Sequence, residues 1–155
     1  MPIDMDNMLP GFSSQLILTN ASAKVTNVDT RSGADILCTA CLREEDILDV
    51  GIVVTAVSAD TYKVQFGRGD ADGLLVTKEG DLVALTSVAA AAPIGTVYRV
   101  AAGNLAWAAT ADTESERRLG KGVVVTVSCD GEGTATGRFM PFVLMRGAEP
   151  LDPIA

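Results

Sequence analysis

Tyr62-Lys63-Val64-Gln65-Phe66 alternates bulky apolar and polar side chains at every position. Successive residues of a strand point to opposite faces, so Tyr62, Val64 and Phe66 share one face, and Lys63 and Gln65 the other. This is the signature of a half-buried strand, and it sets the reading of its neighbours. Val97, Arg99 and Ala101 oppose Tyr98 and Val100 in the same way. Working outward, β-branched runs separated by turn residues predict strands at Lys24–Val28, Ile52–Ser58, Leu74–Lys78, Leu82–Thr86, Thr96–Ala101, Leu105–Ala109, Gly122–Ser128 and Arg138–Met145. Trp107 alternates with Leu105 and Ala109 and is expected largely buried. The expected fold is all-β, a small barrel or sandwich.

Turns are expected at Lys78-Glu79-Gly80-Asp81, at Ala102-Gly103-Asn104 and, more loosely, at Gly131-Glu132-Gly133, because Gly and Asn tolerate the backbone conformations that tight loops need. Ala89-Ala90-Ala91-Ala92-Pro93 is too short to nucleate a helix and reads as a tight connection. Helix and strand compete between Asp35 and Val50, where a helical turn is expected around Arg43–Leu48. Thr113-Glu114-Ser115-Glu116-Arg117-Arg118 offers a Thr-x-x-Glu capping box. A surface turn of helix and a charged loop fit it equally well.

Four of the six prolines, Pro2, Pro10, Pro150 and Pro153, lie near the two ends. Proline disfavours helix and favours extended chain. Residues 1–20 therefore read as an extended N-terminal arm, 21–146 as the β-domain and 147–155 as a short C-terminal tail. Met5, Met8, Leu9, Phe12, Leu16, Ile17 and Leu18 give the arm a large apolar surface with no steady period before Ser13. These seven are the candidate partner-binding residues, expected to bury themselves on a neighbouring subunit.

The 155 residues include 12 basic and 20 acidic ones and no histidine, a formal net charge of −8. One domain is expected at this length. Such an acidic chain argues against nucleic acid as a partner, since phosphate-binding surfaces need clustered Lys and Arg. The lack of histidine removes the commonest general base and metal ligand. No stretch is long and apolar enough to suggest a membrane span, the N-terminal residues do not read as a secretory signal, and a soluble product is expected.

Catalytic and metal motifs are weak. Cys38-Thr39-Ala40-Cys41 lacks the α/β setting of a thiol oxidoreductase, and zinc would want four ligands where only Cys129 remains. All three cysteines are expected reduced, buried and metal-free. Asp70-Ala71-Asp72-Gly73 fails the calcium-loop spacing at positions five, six and twelve and reads as a turn. Arg68-Gly69-Asp70, an adhesion tripeptide, falls where a loop is expected after the Tyr62–Phe66 strand. No catalytic residues and no cofactor are expected.

Gly80-Asp81-Leu82-Val83-Ala84-Leu85, then Pro93-Ile94-Gly95-Thr96-Val97-Tyr98-Arg99-Val100, then Leu119-Gly120-Lys121-Gly122-Val123-Val124-Val125 resembles the head decoration (capsid cement) proteins of tailed bacteriophages, over about residues 73–145. The resemblance implies a non-enzymatic structural protein, made in the host cytoplasm and bound to the outside of the capsid. It implies the major capsid protein as partner and a homo-oligomer, usually a trimer. Two other readings compete: a fibre or adhesion module using Arg68-Gly69-Asp70, and a small thiol- or metal-dependent enzyme using Cys38 and Cys41.

Overall fold

Two antiparallel sheets pack face to face in a computed structural model, which describes residues 14–18, 28–29, 35–72, 75–130 and 136–148. The first sheet contains β1 (Ser14–Leu18), β2 (Val28–Asp29), β4 (Glu45–Ala56), β8 (Val97–Arg99), β9 (Arg118–Leu119) and β11 (Arg138–Gly147). Its order is β1-β11-β4-β8, with β2 also on β11 and β9 also on β4. The second contains β3 (Ile36–Ala40), β5 (Tyr62–Asp72), β6 (Leu75–Asp81), β7 (Thr86–Val88) and β10 (Val124–Asp130). Its order is β3-β10-β5-β6, with β7 also on β5. The fold is the expected all-β class, in its sandwich form. Helix among the described residues is confined to two single 3-10 turns, Val100–Ala102 and Ala109–Ala111.

Alternation supplies the core. Tyr62, Val64 and Phe66 of β5 and Val125, Val127 and Cys129 of β10 are buried, and so are Val50, Ile52 and Val54 of β4 and Phe139, Val143 and Met145 of β11. Tyr62 and Phe139 stack across the two sheets, ring centroids 6.0 Å apart and 4° from parallel. An aromatic pair of this kind adds about 0.5–1.5 kcal/mol to the area it buries.

β4 breaks its own alternation. A register shift against β11 falls where Leu144 faces Asp49 and Met145 faces Ile47, leaving Leu48 as the extra residue. Such a bulge reverses which face each following side chain takes. Ile47 therefore joins Val50 inside, while Asp46 comes to the same outer side as Asp49. The pairing on the far edge of β11 is divided too: β1 covers Phe142–Arg146 and β2 covers Arg138–Phe139. The division coincides with Pro141, which has no N–H to offer a neighbour.

Several expectations are corrected. The helical turn at Arg43–Leu48 is a bend followed by the twelve-residue β4, because Glu45 and Asp46 pair with strands on both sides. Lys78-Glu79-Gly80-Asp81 is no hairpin turn; it lies inside β6, opposite a bulge at Arg68/Gly69. Leu82–Thr86 and Leu105–Ala109 meet only at a Val83–Trp107 bridge, with hydrogen bonds from Ala84 N to Ala106 O and from Ala108 N to Leu82 O. Trp107 is accordingly half-buried. Ala102-Gly103-Asn104 closes a 3-10 turn with Gly103 at φ +80°, and Asn104 caps β8 through Arg99 N and Val97 O. Residues 24–27, Leu74 and residues 131–133 lie outside the described residues.

Gly51 sits between Phe142 and Arg99 in the register of its two neighbouring strands. A Cβ there would overlap the Tyr98 carbonyl oxygen and the Phe142 ring. Gly51→Ala is expected to destabilise the fold by about 1–3 kcal/mol, the usual cost of overpacking. Gly120→Ala, with nothing within 4 Å of its added carbon, is the control and should stay within about 0.5 kcal/mol. Urea midpoints at constant slope check both.

Candidate functional site

The outer faces of the two sheets differ in chemistry. On the second sheet Lys63 is exposed, and Lys78 Nζ donates to Gln65 Oε1 at 2.9 Å and pairs with Asp81 at 3.1 Å. That face is polar. On the first sheet the residues turned from the core include Met140, Phe142 and Leu144 of β11, Val53 of β4 and Val97 of β8, ringed by Arg99, Arg118, Arg138 and Arg146. Apolar centre and basic rim stand out on a chain of net charge −8.

One buried ion pair holds this face in shape. Asp49 is 2% exposed. Its Oδ2 accepts from Arg99 Nε and Nη2, both at 2.5 Å, and its Oδ1 accepts from the backbone N–H groups of Val50 and Ala101, both at 3.0 Å. Four donors satisfy a carboxylate that would otherwise be costly to bury. The Arg99 guanidinium then lies 5.8 Å from the centre of the Phe142 ring.

A second cluster forms where the bulge has turned Asp46 outward. Arg146, Asp46 and Arg118 stand directly opposite one another on β11, β4 and β9. Arg118 donates from Nε at 2.8 Å and from Nη2 at 3.2 Å, and Arg146 Nη2 lies 3.6 Å from Asp46 Oδ2. The hydrogen bond from Arg118, then its charge and that of Arg146, hold the Asp46 carboxyl below its ordinary value of 3.8. The Thr113–Arg118 segment rises beside this triad as a single turn. Its capping bond is formed, Thr113 N–H donating to Glu116 Oε2 at 2.9 Å. Arg117 lies over Trp107, 4.7 Å from the ring centre, and donates to the Ala111 and Asp112 carbonyls.

Between the turn and the sheet runs a groove of about 550 Å³, lined among others by Asp46, Leu48, Glu114, Arg117, Arg118 and Arg146. Leu48 is 37% exposed. Arg146 Nε is buried and has no acceptor among the described residues.

Of the candidate partner-binding residues, Met5, Met8, Leu9 and Phe12 lie outside the described residues. Leu16, Ile17 and Leu18 belong to β1, at register positions opposite Leu144, Val143 and Phe142. The arm thus enters the domain's own first sheet at Ser14. Cys38, Cys41 and Cys129 are buried and free. Arg68-Gly69-Asp70 is not a loop but part of β5, paired to β10 and β6, with Arg68 Nη1 donating to Glu116 O at 3.0 Å. Asp70 and Asp72 are likewise strand residues rather than turn residues. Among the described residues no group of three or more Cys, Asp or Glu is placed to hold a metal ion.

Sequence reasoning missed the two ion-pair clusters. Asp49 and Arg99 are 50 positions apart, and Asp46 and Arg118 are 72 apart, so no local spacing announces them. The available signal is a carboxylate embedded in an apolar run, Ile47-Leu48-Asp49-Val50-Gly51-Ile52.

The sequence matches no known family and no curated protein. Among solved structures, the fold is similar to a chain from the capsid of Ralstonia phage GP4. That match has a TM-score of 0.51 and 12% identity, and it covers 88% of this chain and 84% of that one. A match to the Clostridium thermocellum xylanase 10B modules has a TM-score of 0.35 with 14% identity, over 94% of this chain and 27% of that chain, too poor an overlap to argue from. The first likeness is one of fold: a two-sheet β architecture of the kind found in a phage capsid.

The Asp46 cluster and the buried thiols each set a measurable expectation. Asp46 has a lowered folded pKa, so its stabilisation is complete above its unfolded value and is lost as pH falls through the folded one. Asp46→Asn should therefore cost about 1 kcal/mol near pH 7, with the gap to the wild type closing below pH 3.8; urea melts across pH 2–7 check it. Burial pushes the Cys38 thiol far up, and burial together with Glu45 pushes Cys41 to about 12. Native protein should leave these thiols unmodified by a disulfide reagent at pH 8, with all three titrating in denaturant.

Proposed function

We propose that the chain is a structural virion protein, a capsid decoration or cement subunit. It binds the outside of a phage head and stabilises it by bridging subunits of the major capsid protein. The observation that carries this reading is the fold likeness to the Ralstonia phage GP4 capsid chain across most of both chains. The apolar, arginine-rimmed outer face of the first sheet supports it, since such a face is what an assembly contact needs. The arm residues Met5, Met8, Leu9, Phe12, Leu16, Ile17 and Leu18 add contacts to neighbours, and the working unit is a homo-oligomer, a trimer by the sequence resemblance. The role is structural rather than catalytic, with no cofactor, and the place of action is the capsid exterior.

The competing readings have less support. Arg68-Gly69-Asp70 within a paired strand is poorly placed for adhesion. Thiols held neutral by burial are poor nucleophiles or metal ligands.

Purified particles of the phage that encodes the chain decide the matter. The protein is expected among virion proteins by mass spectrometry, and the purified chain should co-sediment with heads stripped of it, raising their resistance to heat. Absence from particles together with no binding to stripped heads overturns the proposal.

A further inference from the structure

The groove between the Thr113–Arg118 turn and the β4–β11 end of the first sheet has no occupant among the described residues, although it is equipped for one. Leu48 offers apolar surface at its floor. Three guanidinium groups, Arg117, Arg118 and Arg146, stand against two carboxylates, Asp46 and Glu114. Asp46 is already engaged by Arg118 and Arg146, and Arg146 Nε still lacks an acceptor among the described residues. An occupant should be extended, apolar and acidic.

One stretch of this sequence has that chemistry and comes near the place. Asp4-Met5-Asp6-Asn7-Met8-Leu9 places two carboxylates among three large apolar side chains. It precedes β1, whose first residue Ser14 stands opposite Arg146 at the groove's own end of the sheet. Because β1 runs antiparallel to β11, a chain continued in the same direction before Ser14 would head past Arg146 and Gly147, off the end of its own sheet. Pro10 favours an extended course there. At about 3.3 Å per residue, Leu9 would lie ~17 Å and Asp4 ~33 Å beyond Ser14. That would carry the segment away from its own groove and toward an adjacent molecule.

We propose that Asp4–Leu9 of one copy docks in this groove of a second copy. The apolar side chains would lie against Leu48, and Asp4 and Asp6 would face Arg117 and Arg146. The proposal rests on the homo-oligomeric part of the reading above and deepens it, giving the oligomer a defined contact. It also addresses a difficulty, since subunits of net charge −8 repel one another. A local acid-to-arginine contact opposes that repulsion at the site of approach.

The test pairs Met8→Cys with Glu114→Cys in the full chain, under mild oxidation, with each single variant as control. The three native thiols are buried and stay out of the reaction. The expected result is an interchain disulfide, seen as multimers on a non-reducing gel only for the double variant. A bond formed only within one chain overturns the proposal, as does no bond at all. Light scattering of Leu48→Glu and of Asp4→Lys/Asp6→Lys supplies an independent reading. Each is expected to raise the concentration needed for oligomer by about tenfold or more, as the loss of roughly 1.4 kcal/mol of contact would. Unchanged oligomerisation in both overturns the proposal. Particle binding by the wild-type chain separates the two ideas: heads bound without interchain bonds leave the virion reading standing and remove only the groove contact.

Discussion

A carboxylate taken out of water is the constraint on which the first sheet turns. Burying Asp49 without partners would cost several kcal/mol, and four donors drawn from β4, β8 and the 3-10 turn prevent it. Those donors exist only when β8 lies in register on β4. The short β8, three residues long, has little else to fix its position. With Arg99 anchored, Gly51 must remain bare to admit the Tyr98 carbonyl and the Phe142 ring, and the apolar centre of the outer face follows from that. One polar interaction thus organises a largely apolar surface.

The division of labour between sheets bears on function. The second sheet presents Lys63, Gln65 and Lys78 outward, as a water-facing sheet does. The first gathers its exposed arginines around aliphatic and aromatic side chains. A protein with surplus negative charge has concentrated positive charge on one side. Such a distribution orients approach to a partner as well as strengthening contact, which suits a subunit that must bind one way up.

Much of the fold was legible wherever period two was unbroken. Tyr62-Lys63-Val64-Gln65-Phe66 declared β5 and its inward face, and Arg138–Met145 declared most of β11. Legibility failed where local pattern and long-range pairing disagree. Glu44-Glu45-Asp46 looked like a solvated face, yet Glu45 and Asp46 are buried because Arg43, Arg118 and Arg146 come to meet them. Leu82–Thr86 and Leu105–Ala109 had strand composition but find only one bridging pair between them. The adhesion tripeptide was placed in a loop because glycine punctuates it. In fact Gly67 and Gly69 are needed inside a strand, where Lys78 and the Thr77 carbonyl leave no room for a side chain. The candidate site was the least readable part, since its residues come from four strands and a turn, and only the arm's apolar surface could be seen in advance.

The bulge at Leu48 makes β4 two half-strands of opposite phase spliced end to end. Within either half a substitution changes one side chain. Removing or adding one residue at the splice instead exchanges inside for outside along a whole half, sending Asp46 toward the core and Ile47 toward water. Chain length at this point is therefore under tighter control than residue identity. Descendants of this fold can vary freely in what they carry on the outer face, provided they keep count through Ile47-Leu48-Asp49. An alignment that slides a gap into these three positions would pair core with surface, one physical route by which relatives at this depth of divergence escape recognition by sequence while keeping the same two sheets.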